Sequence, residues 1–480
     1  MSGPAGNPAT TLATPLATPL AAAQPQLRQS TLSQAESLGQ SIANIAPTLT
    51  PALNVSVVAA LAGPGSWLAY LIATIGMMFV AANIGALARR HPQSGSYFLY
   101  IGRNFGPFTG AMTGAAMIAA YLFTAVAVTL AFTLFLGSVL SAMGLAGMAP
   151  PAWVLIPIFV GIVWCAGYRD IKLSSRVALV LEGLSVGIIV LIIAVIVMRQ
   201  GTVIDPTQLD LTRLPYGGVM SALAFAVFSF VGFESAATLA KETRSAHIAI
   251  PRAIMISAAG VGVFFVVLTY FMVLAMGGDT AAIAGSGAPF ADLTTKMGLG
   301  WMAGIVYFSA LISGFACALA CINAASRLVY AMGRYQFIGQ SLGTVHDRHQ
   351  TPHVAVSVCC GFVLVISLVV LPIGTLEAFG LTGALGTMGF LFVYLLVCLV
   401  APVDLRRTGH LLPRQAVAAG IGVLLVGFVM VGSLYPVPPA PFNLVPYIFA
   451  LYMAAAAVWF LILKQRRPSL LETIEHDLET

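Results

Sequence analysis

"LGQSIANIAPTLTPALNVSVVAALA", residues 38–62, is long and apolar enough to cross a bilayer, yet it holds Pro47 and Pro51 at its centre. Each proline lacks a backbone donor and collides with the preceding turn, so a helix over this stretch breaks in mid-membrane. Hydrocarbon tolerates such a break only where protein or a water-filled cavity satisfies the freed N–H and C=O groups. A second interruption lies in "FAVFSFVGFESAATLA", residues 225–240, around Gly232, with Glu234 two residues beyond it.

The surrounding chain sets the context. Its 480 residues are 59% hydrophobic and 8% charged, with a mean hydropathy of +0.95, whereas a soluble domain is about one quarter charged. Twelve apolar segments follow one another, at about 38–62, 67–88, 107–138, 152–168, 176–198, 217–240, 253–276, 300–332, 353–373, 377–401, 414–434 and 444–463. Their usual length of roughly 20 residues spans about 30 Å of hydrocarbon. The sequence predicts an all-α integral membrane protein of 12 transmembrane helices. A β-barrel would need short alternating segments, which are absent.

The formal charge of +6 is distributed by side. Arg89, Arg90 and Arg103 follow the second segment, and Arg169, Lys172 and Arg176 the fourth. Lys241, Arg244 and Arg252 follow the sixth, Arg327, Arg334 and Arg348 end or follow the eighth, and Arg406, Arg407 and Arg414 follow the tenth. The opposite loops hold only Arg199, Arg213 and Lys296. The positive-inside rule then puts both termini in the cytoplasm, and the chain is expected in a cell inner (cytoplasmic) membrane. The cations mark a membrane face, with no nucleic acid implied. Residues 1–34, with the repeat "LATPLATPL", lack the basic start and apolar core of a signal peptide and read as a disordered cytoplasmic tail. Residues 464–480 form a second cytoplasmic tail, ending in the solvated acids Glu472, Glu475, Asp477 and Glu479.

Enzyme chemistry finds little support. The six cysteines lie in apolar runs without His or carboxylate at ligand spacing, so they read as buried inert thiols, with no metal site. No Walker loop, nucleophile elbow or dinucleotide fingerprint occurs in a suitable context, and no cofactor is expected. Gly110 and Gly114 form a small-xxx-small pair for close helix packing.

Two broken helices five apart suggest a five-plus-five inverted repeat over residues 35–401, with the last two helices, 402–463, appended. Transporters of that kind bind substrate near the midplane, between the broken helices. Ordinary proline kinks in a channel or a membrane enzyme are the alternatives the breaks leave open.

Three motifs carry a family resemblance. Residues 63–110 contain Pro92, Ser94, Gly95, Tyr97, Tyr100, Phe105, Gly106 and Pro107 in the order found in the second helix and following loop of amino acid–polyamine–organocation permeases. "FVGFESAATLAKETRSAHIAIPRAI", residues 230–254, resembles that family's sixth helix and its loop, and "NAASRLVYAMGRYQFIG", residues 323–339, the end of its eighth. The resemblance runs from about 38 to 463. It implies a LeuT-like fold of ten core helices plus two, with helices 1 and 6 broken. It also implies secondary active transport of amino acids by alternating access, coupled to protons or sodium, by a monomer or homodimer in the lipid bilayer. Import or exchange of amines such as putrescine or ethanolamine is the alternative, and an ion channel the alternative from another class.

Roles follow from the chemistry of the breaks. Unpaired N–H groups of an upper half-helix attract a carboxylate, and unpaired carbonyls of a lower half attract an ammonium. The candidates in the first break are Asn44, Ile45, Ala46, Pro47, Thr48, Leu49 and Thr50. Related permeases have a glycine-rich break where this chain has "APTLTP". Pro47 and Pro51 cannot donate, so Thr48, Leu49 and Thr50 must supply any N–H cradle. In the second break Phe228 falls where relatives place a gating aromatic, with Phe230 beside it, and Val231 and Gly232 offer carbonyls. An acid in mid-membrane must be paired, hydrated or protonated. Glu234 is therefore a candidate both for ion coupling and for capping the broken helix, and Glu182, where some proton-coupled relatives place a lysine, is a second coupling candidate. Glu377 is expected to be solvated.

Overall fold

Helix α1 (Gln34–Ile45) begins with a capping box: Ser33 Oγ accepts the Glu36 N–H at 3.3 Å and Glu36 Oε2 accepts the Ser33 N–H at 2.7 Å. It ends at Ala46, which is left-handed (φ 53°, ψ 65°) because the ring of Pro47 bars the residue before it from the right-handed region. Helix α2 (Leu49–Ala62) restarts two residues later, with Pro51 in its first turn, where a missing N–H costs no intrahelical bond. The proline pair thus breaks the span and also sets where each half stops and starts.

The computed structural model describes residues 27, 29–92, 96–169, 171–286, 289–435 and 437–466. The tail expected over residues 1–34 lies outside them up to residue 26 and at 28, as do the end of the C-terminal tail from 467, Ser94 and Gly95. Beyond the first break run α3 (Ser66–Arg90), α4 (Ser96–Phe105), α5 (Pro107–Ala142), α6 (Ala152–Arg169), α7 (Ile171–Gln200) and α8 (Tyr216–Phe228). They are followed by α9 (Ala246–Ala275), α10 (Met302–Arg334), α11 (His353–Val370), α12 (Thr375–Arg407), α13 (Pro413–Gly432) and α14 (Val445–Arg466), with short helices in the connections. Among the described residues there is no strand, only an isolated bridge between Leu32 and Thr243.

Among the described residues ten stretches are long and apolar enough to cross a membrane, the first of them joining α2 to α3. The two interrupted helices fall short alone. Past Phe228 the α-helix does not resume: a turn runs to Glu234 and a 3-10 helix over Ser235–Glu242. Helices α5, α10 and α12 form the centre, each 72% buried over its most apolar window, while α14 at 11% is peripheral. Gly110 lets α4 lie directly on α5, because a Cβ there would meet Phe98 O at 2.7 Å and Gly102 Cα at 2.9 Å. Cys165 corrects the expectation of uniformly buried thiols: it is exposed on α6, whereas the other five cysteines are buried. Glu377 is exposed, on the first turn of α12.

At the end bearing the basic loops, the segment before α1 is laid against the segment after the second break. The N–H groups of Thr31 and Leu32 both donate to Glu242 O at 2.8 Å, and Arg244 N–H donates to Leu32 O at 2.9 Å. Leu32 is fully buried against Ile171 and Leu239. Beneath it Arg327 of α10 donates to both oxygens of Glu242, at 3.1 and 3.2 Å, with neither side chain exposed. Breaking one side of such a pair strands the other charge in a dry interior. Glu242→Gln is expected to lower stability by roughly 3–5 kcal/mol, read as a lowered thermal-unfolding midpoint of the detergent-solubilised protein.

Candidate functional site

The two helix breaks face each other. Asn44, at the end of α1, donates from Nδ2 to Gly232 O at 3.3 Å. Its own oxygens are held from α10, with Cys321 Sγ 2.9 Å from Oδ1 and Cys317 Sγ 3.4 Å from the carbonyl. Gly232 has φ +100°, and a Cβ there would lie 2.5–2.9 Å from Asn44 atoms. Only glycine lets the two breaks touch here.

A cavity opens beside this contact, with a volume of about 40 Å³, room for about three waters. The first break contributes Asn44, Ile45, Ala46, Leu49 and Thr50, and α2 adds Asn54. Phe228 and Val231 come from the second break, Thr124, Ala127 and Val128 from α5, Cys317 from α10, and Phe379 and Gly383 from α12. Phe228 lies across from Gly383, where a Cβ would meet Cζ of its ring at 3.4 Å. No Asp, Glu, Lys, Arg or His lines the cavity.

Its polarity comes from Asn44, Thr50, Asn54 and Thr124 and from backbone groups of the breaks. Pro47 has no N–H, and the Thr50 N–H is used by Ala46 O at 2.9 Å. The N–H groups of Thr48 and Leu49 have no acceptor among the described residues, and the Val231 carbonyl accepts from none of them. One side of the cavity therefore presents the positive end of α2, and the other a free carbonyl.

Of the candidates read from the sequence, Asn44, Ile45, Ala46, Leu49, Thr50, Phe228 and Val231 line the cavity, whereas Pro47, Thr48, Phe230, Gly232, Glu234 and Glu182 do not. Phe230 is fully buried against Phe265, ring centroids 5.5 Å apart. Thr48 turns its hydroxyl away, to Ser185 Oγ of α7 and to Ser309 O of α10 at 3.4 Å. Glu234 is fully buried behind the second break. Its Oε1 accepts from Tyr121 OH at 2.7 Å, and its Oε2 from Tyr394 OH and from the Gly232 N–H at 3.1 Å. Tyr97 OH donates to the Glu234 carbonyl at 2.8 Å. Glu182, 1% exposed, has one donor among the described residues, Ser313 Oγ, at 2.8 and 3.1 Å from its two oxygens.

The sequence reading missed the tyrosines around Glu234 and the walls from α5 and α12. Thr124, Ala127 and Val128 are spaced to share one helix face, but nothing in so apolar a helix says which face meets a cavity.

A helical bundle of membrane-crossing length, enclosing a small site between two broken helices, defines a multi-pass membrane protein built to hold a small molecule within its depth. The chain belongs to the amino acid permease family, whose model matches residues 37–468. It is 27% identical over 377 residues to the branched-chain amino acid permease BcaP of Bacillus subtilis, covering 76% of this chain and 78% of that protein. It is 26% identical over 326 residues to the low-affinity putrescine importer PlaP of Escherichia coli, covering 65% and 70%. A branched-chain amino acid permease of Lactococcus lactis is 25% identical over 420 residues, covering 84% and 88%. The protein is accordingly a transmembrane transporter of the amino acid permease class.

Gly232→Ala forces a side chain into a left-handed backbone and into Asn44 together. It is expected to cost roughly 1–3 kcal/mol of stability and to stop transport. Unfolding midpoint and uptake measured on one preparation check both.

Proposed function

We propose that this chain is a secondary active transporter of a small, neutral, aliphatic amino acid, working by alternating access and coupled to protons. The observation that carries the proposal is the cavity itself: the start of α2 with the unpaired Leu49 N–H on one side, Val231 with its unpaired carbonyl on the other, and no Asp, Glu, Lys, Arg or His in the lining. The helix start suits an α-carboxylate and the carbonyl an α-ammonium, while Val128, Phe228 and Val231 suit a short apolar side chain. The similarity to branched-chain amino acid permeases supports this reading. The similarity to a putrescine importer favours an amine instead. A diamine, however, needs a carboxylate for its second ammonium, and Glu234 is turned away and engaged by three donors.

In this proposal α1 with α2 forms the first of 12 membrane helices, and α8 with the 3-10 segment the sixth. They are the equivalent members of a five-plus-five LeuT-like repeat, with both termini cytoplasmic. Glu182 carries the coupling proton. It is buried, has no ion pair among the described residues, and lies one helical turn from Ser185, the partner of Thr48 in the first break.

The test is uptake into proteoliposomes of labelled leucine, valine, alanine and putrescine under an inward proton gradient, a sodium gradient and none. Saturable uptake of an aliphatic amino acid, raised by the proton gradient and not competed by putrescine, is expected. Putrescine uptake without amino acid uptake assigns the chain to amines, stimulation by sodium alone changes the coupling ion, and unitary conductance makes it a channel.

Glu182→Gln is expected to abolish gradient-driven accumulation while keeping exchange of internal for external substrate. If gradient-driven accumulation survives in that variant, the proton is carried elsewhere.

A further inference from the structure

Arginines crowd one corner at the basic end of the bundle, where the C-terminal ends of α3 and α12 meet α4. Arg89 and Arg90 end α3, Arg103 is in the last turn of α4, and Arg406 and Arg407 end α12. Over residues 86–108 and 400–414 Asp404 is the only acid in the sequence. Asp404 is already shared three ways: Arg90 Nε lies 3.7 Å from Oδ2, and His91 Nε2 and Asn104 Nδ2 each lie 3.2 Å from Oδ1. Arg103 does not reach it. Its Nη1 donates instead to His91 Nδ1 at 2.8 Å, which makes His91 a neutral bridge. Arg90 Nη1 and Arg103 Nε are left buried without an acceptor, and Asp404 Oδ2, 3.7 Å from Arg90 Nε, is itself buried without a hydrogen-bond donor, so one carboxylate still faces five guanidinium groups with only part of its capacity used. Arg407 has only a 3.5 Å contact with Asn104 Oδ1, and Arg89 and Arg406 are exposed. The corner is thus short of negative charge, and its donors are guanidinium forks, which match phosphate oxygens.

Two further side chains indicate what kind of anion fits. Phe105 and Phe108, just past Arg103, are 41% and 44% exposed, an aromatic pair at the level where a bundle meets lipid headgroups. Phe108 also packs edge-on against Phe460 of α14, ring centroids 5.4 Å apart, so the two rings belong to the apolar flank of the bundle directly beside the arginines. A ligand with a charged head and hydrocarbon chains uses both.

We propose that this corner binds the phosphodiester headgroup of an anionic membrane lipid, its acyl chains lying along the bundle beside Phe105 and Phe108. Sites of this type form where basic side chains cluster at the cytoplasmic end of membrane helices. The inference does not depend on which substrate is carried.

The full-length protein in neutral detergent is titrated with phosphatidylglycerol, phosphatidylcholine, sn-glycerol 3-phosphate or inorganic phosphate, and the thermal-unfolding midpoint is followed. Phosphatidylglycerol is expected to raise it saturably, and the other three are not. Arg103→Gln and Arg407→Gln are each expected to raise the half-saturating phosphatidylglycerol concentration roughly fivefold. Arg466→Gln, at the end of α14, is a control expected to leave it unchanged. Equal responses to phosphatidylglycerol and phosphatidylcholine overturn the proposal, as does an unaltered response in both arginine variants. A shift reproduced by inorganic phosphate or glycerol phosphate assigns the corner to a free anion and overturns the lipid. If Arg103→Gln does not fold, Arg407→Gln, on an exposed side chain, decides alone.

Discussion

A peptide group left unpaired in hydrocarbon costs several kcal/mol, and the architecture around the two breaks is arranged by that cost. Pro47 cannot extend α1, and Pro51 is harmless only in a first turn, so the gap between Ile45 and Leu49 is fixed by two residues. Most polar groups freed by the gap are taken up nearby. Asn44 is held by two thiols and by Gly232, Thr50 Oγ1 donates to Ile45 O at 2.8 Å, and Thr48 is anchored on α7 and α10. Among the groups left unpaired, the Leu49 N–H and the Val231 carbonyl belong to residues that line the cavity.

The same accounting explains the acid beyond Gly232. The turn after Phe228 abandons α-helical hydrogen bonds, and Glu234 returns an acceptor to the Gly232 N–H while two tyrosines from α5 and α12 hold its oxygens. Tyr121 and Tyr394 thereby tie the second break to the two most central helices. Glu234 is in this sense a brace. Replacing its carboxyl group would take an acceptor from three donors at once, so a role in structure accounts for its position. Glu182 contrasts with it in its partners: among the described residues its side chain has one donor, Ser313, where that of Glu234 has three.

The sequence predicted the breaks well because proline and glycine act locally. Pro47 and Pro51 restrict their own backbone and Gly232 frees its own, whatever surrounds them, and seven of the candidate residues nearby line the cavity. Membrane-crossing length was equally legible, since it depends on composition summed over a window. Packing was not. Val128 and Thr124 differ from a dozen neighbours in α5 only in the direction they face, and Phe230 and Phe228 look interchangeable until Phe265 is seen to take one of them. In a soluble helix polar residues mark the outside, but here lipid and core are both apolar and that contrast is lost. Twelve segments were read where ten stretches among the described residues cross by length and composition, because α2 runs on into α3 as a single stretch and α8 stops short at the second break.

The placement of Thr48 gives the two acids their different weights. Leu49 and Thr50 face the cavity, while Thr48, their neighbour, is hydrogen-bonded to Ser185 and Ser309, one turn from Glu182 and Ser313 on the same two helices. Substrate pulling on the free N–H groups of α2 and a proton arriving at Glu182 would therefore act on one short segment from opposite sides. Coupling requires that each ligand favour the same arrangement of that segment, and a rigid run of three residues between two prolines transmits such a preference over a single residue's length. Glu234 does not line the cavity, and its side chain is held by Tyr121, Tyr394 and the Gly232 N–H. In this proposal the energy of the gradient enters through the first break, and the second serves as the fixed wall against which it moves.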